Sequence, residues 1–318
     1  MSAVSPSPPL QAVPYPAILQ RLQQGKVVPF LGAGASIVDR PEGAEWKHGA
    51  EFPPRGAELS SWLASRVEYP SDSGHPEDVR DLLKVAAYYE EATGREALRD
   101  EIHGVLARDY RPGPLHRWLA AIDGLKLIVT TNYDTLLERA FRDAKRAFDL
   151  VIYQDGEESG SGILYWPNGA DSPTTLSAED LQVDLATTTV IFKMHGTVDD
   201  RATPDAEIED FVITEDDYID FLCRMTSGSA VPKAFLHYFR SRSFLFLGYS
   251  LADWNMRVVL RNLGREFEAH GQRGAVKHWA IQEKPSPVEQ WLWKTRGVNV
   301  YDERIEMFVE HLKAAQGA

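Results

Sequence analysis

The sequence predicts an α/β fold: a Rossmann-like, mainly parallel sheet with helices on both faces and a helical insertion beside it. Three observations lead there. Apolar runs recur at residues 27–31, 127–130, 150–153, 188–194, 244–247, 279–282 and 298–301, and runs this continuous suit strands buried on both faces. Helix-period segments separate most of them, the alternation that builds parallel sheets. Four runs end directly in polar or glycine-containing turns, and an open parallel sheet binds ligands beyond the carboxyl ends of its strands.

The elements follow in chain order. Residues 1–16, "MSAVSPSPPLQAVPYP", hold five prolines and no Lys or Arg; they read as an extended arm and lack the basic and apolar regions of a secretory signal. The strand 27–31 opens into "GAGAS" at 32–36. Residues 56–121 contain "AELSSWLASRVEY", "VRDLLKVAAYYEEA", "REALRDEIHGVLARDY" and "PLHRWLAAI", successive amphipathic helices without a strand between them. The strand 127–130 runs into "TTNYD" at 130–134 and the helix "TLLERAFRDA". From 154 to 182 the chain is rich in Gly, Ser, Asp and Pro, an excursion with at most a short hairpin. The strand 188–194 leads into "KMHGTVDD" at 193–200, and 244–247 into "GYSLADWN" at 248–255, where the helix "SLADWNMRVVLRNLGREFEAH" begins. A last helix, "ERIEMFVEHLKAAQ", follows the strand at 298–301.

Composition narrows the function classes. At 318 residues and 43% hydrophobic content the chain can bury a substantial core. A formal charge of −13 argues against direct nucleic-acid binding, which needs clustered Lys and Arg. No stretch approaches ~18 uninterrupted apolar residues, so no membrane span is expected, and a cytoplasmic protein is. Cys223 is the single cysteine, which excludes an internal disulfide and any zinc site built on paired C-x-x-C motifs.

The turn at 32–36 admits two readings. Gly32 and Gly34 let the backbone take positive φ and approach a ligand closely, yet a plain αβ turn needs no ligand. A dinucleotide fingerprint G-x-G-x-x-G would place a third glycine where Ile37 stands, and a strand ending in an acid about 20 residues later, where the chain reads "EFPPRGAEL"; an ordinary NAD dehydrogenase is disfavoured. The other turns divide similarly. Asn132 and Asp134 could cap the helix after them, His195 could be a core histidine leaving its strand, and Ser250 and Asp253 could cap the helix after Gly248. Capping accounts for each turn singly but does not predict all four at one sheet edge. The acidic pairs Asp199–Asp200 and Glu215–Asp217 read better as solvated loop and helix-start charges than as metal ligands.

The order GAGAS, TTNYD, a strand ending in HG and a strand ending in GYSL resembles the sirtuin order G-A-G-x-S, T-Q-N-x-D, H-G and G-T-S-L. It is most similar to the sirtuin-like NAD-hydrolase domains of bacterial antiphage defence systems. The resemblance spans about residues 26–301 and implies a sirtuin-like NAD-binding domain over 17–318, with NAD as substrate. It places Gly32, Ala33, Gly34 and Ser36 around the pyrophosphate, with Thr131 also on the cofactor. Asn132 and Asp134 fall near the nicotinamide ribose and carboxamide, His195 beside the ribose hydroxyls, and Gly248 and Ser250 along the adenosine half.

Departures from the pattern matter equally. Sirtuin deacylases carry a four-cysteine zinc ribbon after the catalytic histidine, and this chain has only Cys223 there. Their G-I-P-x-F-R segment is replaced by "VDRPEGAEWKHGAEFPPRG". The resemblance thus implies no zinc ribbon, and an NAD glycohydrolase or ADP-ribosyl-transferring relative over a deacylase. A catalytically silent subunit that binds NAD or ADP-ribose is the competing reading, and a deacylase with a reduced substrate domain the third. In related defence proteins such an activity is restrained by homo-oligomerisation or by a companion, a helicase-like (HerA-like) ATPase or an Argonaute-type protein; the segment 56–121 and the Pro-rich arm are the candidate contact surfaces.

These residue types suit the reaction. Cleaving the nicotinamide–ribose bond passes through an oxocarbenium-like state, and the leaving pyridine is already cationic, so no general acid is needed. Asn132 can orient water or a ribose hydroxyl through its donor and its acceptor. Asp134 can hold the carboxamide, and neutral His195 can take a proton. Free N–H groups of the glycine loop and the short helical turn after it can hold the pyrophosphate, so no metal is expected.

Overall fold

The computed structural model describes residues 12–70, 75–154, 162–199, 211–249 and 277–317. Its strands are β1 (Val27–Leu31), β2 (Leu127–Thr130), β3 (Asp149–Gln154), β4 (Gly162–Trp166), β5 (Thr174–Ser177), β6 (Val190–Lys193), β7 (Ser243–Leu247), β8 (His278–Gln282) and β9 (Val298–Asp302). They form one sheet in the order β5-β4-β3-β6-β2-β1-β7-β8-β9. Successive side chains on a strand face opposite ways, and here both faces are apolar. Leu31, Ile128, Ile191, Leu245 and Trp279 enter one core layer, while Val28, Phe30, Val129, Phe192 and Phe246 enter the other. That two-sided burial is why the sequence shows continuous apolar runs.

In that order pairing is parallel from β3 across to β9, while β4 alone runs the opposite way and pairs antiparallel with both β3 and β5. The excursion at 154–182 therefore carries more than an isolated hairpin: its strands extend the sheet beyond β3. Pro29, which has no N–H to donate, lies in β1, a central strand that pairs with β2 only at Phe30 and Leu31.

Helices cover both faces. The first, α1 (Tyr15–Gln23), has a proline in its first turn, where a missing N–H costs nothing. It lies against the helix Ile305–Gly317, with the Tyr15 hydroxyl donating to Glu303 at 2.6 Å and its ring 6.0 Å from that of Phe308. Next, α2 (Gly56–Arg66), α3 (Leu82–Thr93) and α4 (Arg95–Leu106) build a core of their own around Leu63, Val85, Tyr89 and Ile102, which Val198, Phe211 and Ile213 complete. The next helix, α5 (Pro114–Ala120), does not join them; its Leu115, Trp118 and Leu119 pack on the sheet. Then come α6 (Leu136–Asp143), α7 (Glu215–Ser227), α8 (Lys233–Phe239) and the helix Pro287–Lys294. The helix expected after Gly248, with Ser250 and Asp253, lies outside the described residues, as does Asp200.

Register brings the motifs to one level. Lys193 pairs with Thr130, Thr130 with Leu31, and Leu31 with Leu247, so the four turns leave the sheet from a single row. Strand order reverses at β1, which has β2 on one side and β7 on the other, and the crevice beyond such a switch point is where this class of sheet takes ligands. At that point two loops cross by backbone alone. Gly34 N–H donates to Gly248 O at 2.9 Å, and a Cβ on Gly248, whose φ is +75°, would lie 2.2 Å from the nitrogen of Ala35.

Gly248→Ala is therefore expected to destabilise the protein by at least about 2 kcal/mol, since it combines left-handed strain with a backbone clash. Gly104→Ala, on α4 with nothing within 4 Å of the new methyl, should instead add about 0.5–1 kcal/mol. Denaturant unfolding of the two variants checks this, and equal midpoints would show the crossing to be soft.

Candidate functional site

Thr130 ends β2 and turns the chain. Its hydroxyl donates to Leu31 O at 3.1 Å and accepts from Asn132 N at 3.0 Å, and Thr131 N–H also reaches Leu31 O, at 3.1 Å. Asn132 is thereby carried over the end of β1. Its Nδ2 donates to Gly32 O at 3.0 Å and to Ser36 Oγ at 2.9 Å, and Ser36 Oγ donates to Asp134 Oδ2 at 2.6 Å. The direction of this chain is fixed: the Gly32 carbonyl and the Asp134 carboxylate can only accept, so the serine must give its proton to Asp134 and receive one from Asn132. Both Nδ2 hydrogens are engaged, and no described residue donates to Oδ1. Within these contacts Asn132 has only its Oδ1 acceptor left to offer. Asp134, one residue before the N-cap Thr135, also makes the helix-start contact that the capping alternative allowed: Oδ1 takes Leu136 N–H at 3.0 Å at the start of α6.

Two further expectations change. Gly32 sits at φ −105°, and neither Gly32 nor Gly34 has positive φ; both are glycine because a Cβ would strike Gly248, at 2.7 and 2.8 Å. The amides expected to be free are partly engaged, since Gly34 N–H goes to Gly248 O and Ala35 N–H to Gly32 O, each at 2.9 Å. Ala33 opens the short 3-10 helix Ala33–Ile37 that carries Ser36. Thr131 Oγ1 meets the Tyr249 hydroxyl at 3.2 Å and ties the β2 turn to the β7 turn. Ser250 lies outside the described residues.

His195 leaves β6 at the same edge but is joined by no described hydrogen bond to Asn132 or Asp134. Its ring stands edge-on to Tyr218 and Phe221 of α7, at 5.3 and 5.1 Å, and Nε2 is buried without a partner among the described residues. Burial pushes its pKa down to about 3, against the pull of Asp217, so the ring is neutral near pH 7. Asp217 is a helix-start charge, as expected, accepting from Ile213 N and Thr214 N at 2.9 Å each and from Arg95 of α4 at 2.9 Å. Asp199 is buried rather than solvated.

Three neighbours of the site escaped the sequence reading. Lys193, fully buried, donates to Tyr133 O at 3.3 Å, to Asp134 O, and to Glu138 Oε1 at 2.9 Å. Lys193 and Glu138 are charges inside apolar runs, the one signal that could have found them. His116 on α5 is buried near Asp134; its Nδ1 accepts from Gly113 N at 3.3 Å, and burial pushes its pKa down to about 4 although Asp134 pulls it up. A cavity of about 670 Å³ opens at the opposite edge of the sheet, among Gly25, Lys126, Tyr238 and Arg242, where the strands begin, away from this network.

Comparison with known proteins places the motifs in context. The family model described as SIR2-like domain matches residues 126–301. The chain is 26% identical over 282 residues to NAD(+) hydrolase ThsA of Acinetobacter baumannii, covering 86% of this chain and 46% of that protein. It is also 26% identical over 185 residues to NAD(+) hydrolase ThsA of Enterococcus faecium, covering 58% and 32%. The chain thus spans from about a third to just under half of the length of these curated relatives. Among solved structures, a SIR2 homologue in complex with NAD aligns with TM-score 0.36 and 15% identity, covering 94% of each chain. A mutant Sir2 homologue in complex with 2′-O-acetyl ADP ribose aligns with TM-score 0.41 and 12% identity, covering 95% of this chain and 98% of that one.

The buried histidines predict a pH dependence. His116, His195 and His278 sit at about 4, 3 and 4 in the folded protein against an ordinary 6.5. Below pH 6.5 the unfolded chain takes up protons that the folded chain refuses. Stability from these groups is therefore complete above 6.5 and drains as pH falls, by about 1.4 kcal/mol per pH unit for each ring. Glu58, held near 2 by Arg40 against an ordinary 4.5, adds its loss only at lower pH. Melts should show Tm dropping steadily from about pH 7 to about pH 5; a flat profile would mean the rings are hydrated.

Proposed function

The chain belongs to the SIR2-like domain family, and from that premise we propose that it hydrolyses NAD to nicotinamide and ADP-ribose. The observation that carries this reading is the Asn132–Ser36–Asp134 chain at the switch point of the sheet, with no described residue donating to the Asn132 carbonyl. The name of the curated relatives, NAD(+) hydrolase, points the same way.

In this reading the ring carbon–nitrogen bond breaks with its electron pair leaving on nicotinamide, which departs neutral. Positive charge spreads onto the ribose. Asn132 Oδ1 accepts from the attacking water or a ribose hydroxyl and holds it in line. The water oxygen bonds to the ribose carbon, and its proton passes to His195, whose neutral ring has a free nitrogen. Residues 32–36 and Gly248 bound the dinucleotide at the crossing of the two loops, with amides other than those of Gly32, Gly34 and Ala35, which are held by Leu247 O, Gly248 O and Gly32 O, left to meet the pyrophosphate. A role as an antiphage effector, restrained until self-assembly or a companion protein releases it, completes the proposal and rests on the family resemblance alone. One observation favours the alternative of a silent NAD-binding subunit: His195 is buried beneath α7.

Nicotinamide release from NAD by the purified protein separates the two. Asn132→Ala and His195→Ala should keep NAD affinity within about threefold of the parent while turnover falls on the order of a hundredfold. Asp134→Ala should lose about 1 kcal/mol of stability as a cap and also turnover, because Ser36 loses its acceptor. Near-parental rates in folded Asn132→Ala and His195→Ala proteins would defeat the catalytic assignment.

A further inference from the structure

We propose that Lys193 is a positioning residue whose ammonium fixes the backbone of Tyr133 and Asp134 and thereby aims the Asn132 carbonyl. The proposal rests on the NAD-hydrolase reading above for its catalytic consequence and on the fold alone for its mechanical one. Lys193 ends β6 in register with Thr130 and is 0% exposed. A buried ammonium is tolerated only when its donors are all engaged, and this one meets Tyr133 O at 3.3 Å, Asp134 O, and Glu138 Oε1 at 2.9 Å.

An ion pair in this position is not needed to hold β6 against α6. Apolar residues of similar volume would hold it as well or better. What an apolar pair cannot do is donate to two consecutive carbonyls. Those carbonyls belong to the peptide units on either side of the Asp134 Cα, so the lysine fixes the torsions that point the Asp134 carboxylate at Ser36, 2.6 Å away. Ser36 in turn receives Asn132 Nδ2 at 2.9 Å. Tyr133 O is shared with Val198 N–H at 2.9 Å, which links the same anchor to the turn carrying His195.

The test replaces the pair together, Lys193→Met with Glu138→Leu, because Lys193→Met alone would strand a buried carboxylate. In the full chain, the double variant is expected to melt within a few degrees of the parent. Its kcat for nicotinamide release should fall at least about tenfold with KM within about threefold, the pattern of a misaimed group rather than a lost binding contact. Amide hydrogen exchange at Leu136 and Val198 should speed at least about tenfold while Val129 in β2 is unchanged. A stable double variant with parental kcat, or with parental protection at both amides, overturns the proposal. So does a double variant that fails to fold, since the pair would then serve stability. Were the parent to release no nicotinamide, the NAD-hydrolase reading would fail by itself, and the exchange rates would still decide whether Lys193 holds this turn.

Discussion

Beyond β1 and β7 two loops pass each other with no side chain between them, and the site is assembled from that contact outward. Gly34 N–H binds Gly248 O, and added methyl groups at Gly32, Gly34 or Gly248 would fall within 2.8 Å of backbone. The crossing holds the 3-10 helix Ala33–Ile37 in place, that helix presents Ser36, and Ser36 receives Asn132 while donating to Asp134. Packing and hydrogen bonding at this edge thus share one cause. The glycines that look like a ligand cradle are first a requirement of the protein's own backbone, and any room for a phosphate is secondary to it.

The helices α2–α4 are coupled to this edge by more than proximity. Their core is completed by Val198, Phe211 and Ile213, the segment that follows His195 and precedes α7. Arg95, the first residue of α4, bridges Glu90, Asp217 and the Phe211 carbonyl. Asp217 in turn starts α7, whose Tyr218 and Phe221 stand against His195. A displacement of these helices would be felt at the histidine through packed apolar side chains and one partly buried ion pair.

Much of the fold was legible because two-sided burial leaves a continuous apolar run, and all seven predicted runs overlap strands. The antiparallel extension was harder to read, since β4 and β5 lie within a Gly-, Ser- and Pro-rich stretch whose composition masks the apolar "GILYW". The motif turns were legible as turns. Their internal connections were not: whether Ser36 meets a phosphate or Asp134, and whether Asn132 keeps a donor, depends on contacts between residues some hundred positions apart. Lys193 and His116 illustrate the same limit. A charge in a strand or a histidine in "PLHRWLA" signals an unusual environment, but its partners are chosen by tertiary placement rather than by neighbouring sequence.

The clasp between α1 and the helix Ile305–Gly317 has a topological consequence. With the Tyr15 hydroxyl on Glu303 and its ring over Phe308 and His311, the first and last helices of the described chain lie side by side on one face of the sheet. The two helices farthest apart in the described sequence are thereby held together by a contact that involves none of the motif turns. Fluorophores placed on the two helices would report, by their separation, whether the clasp opens before the sheet unfolds.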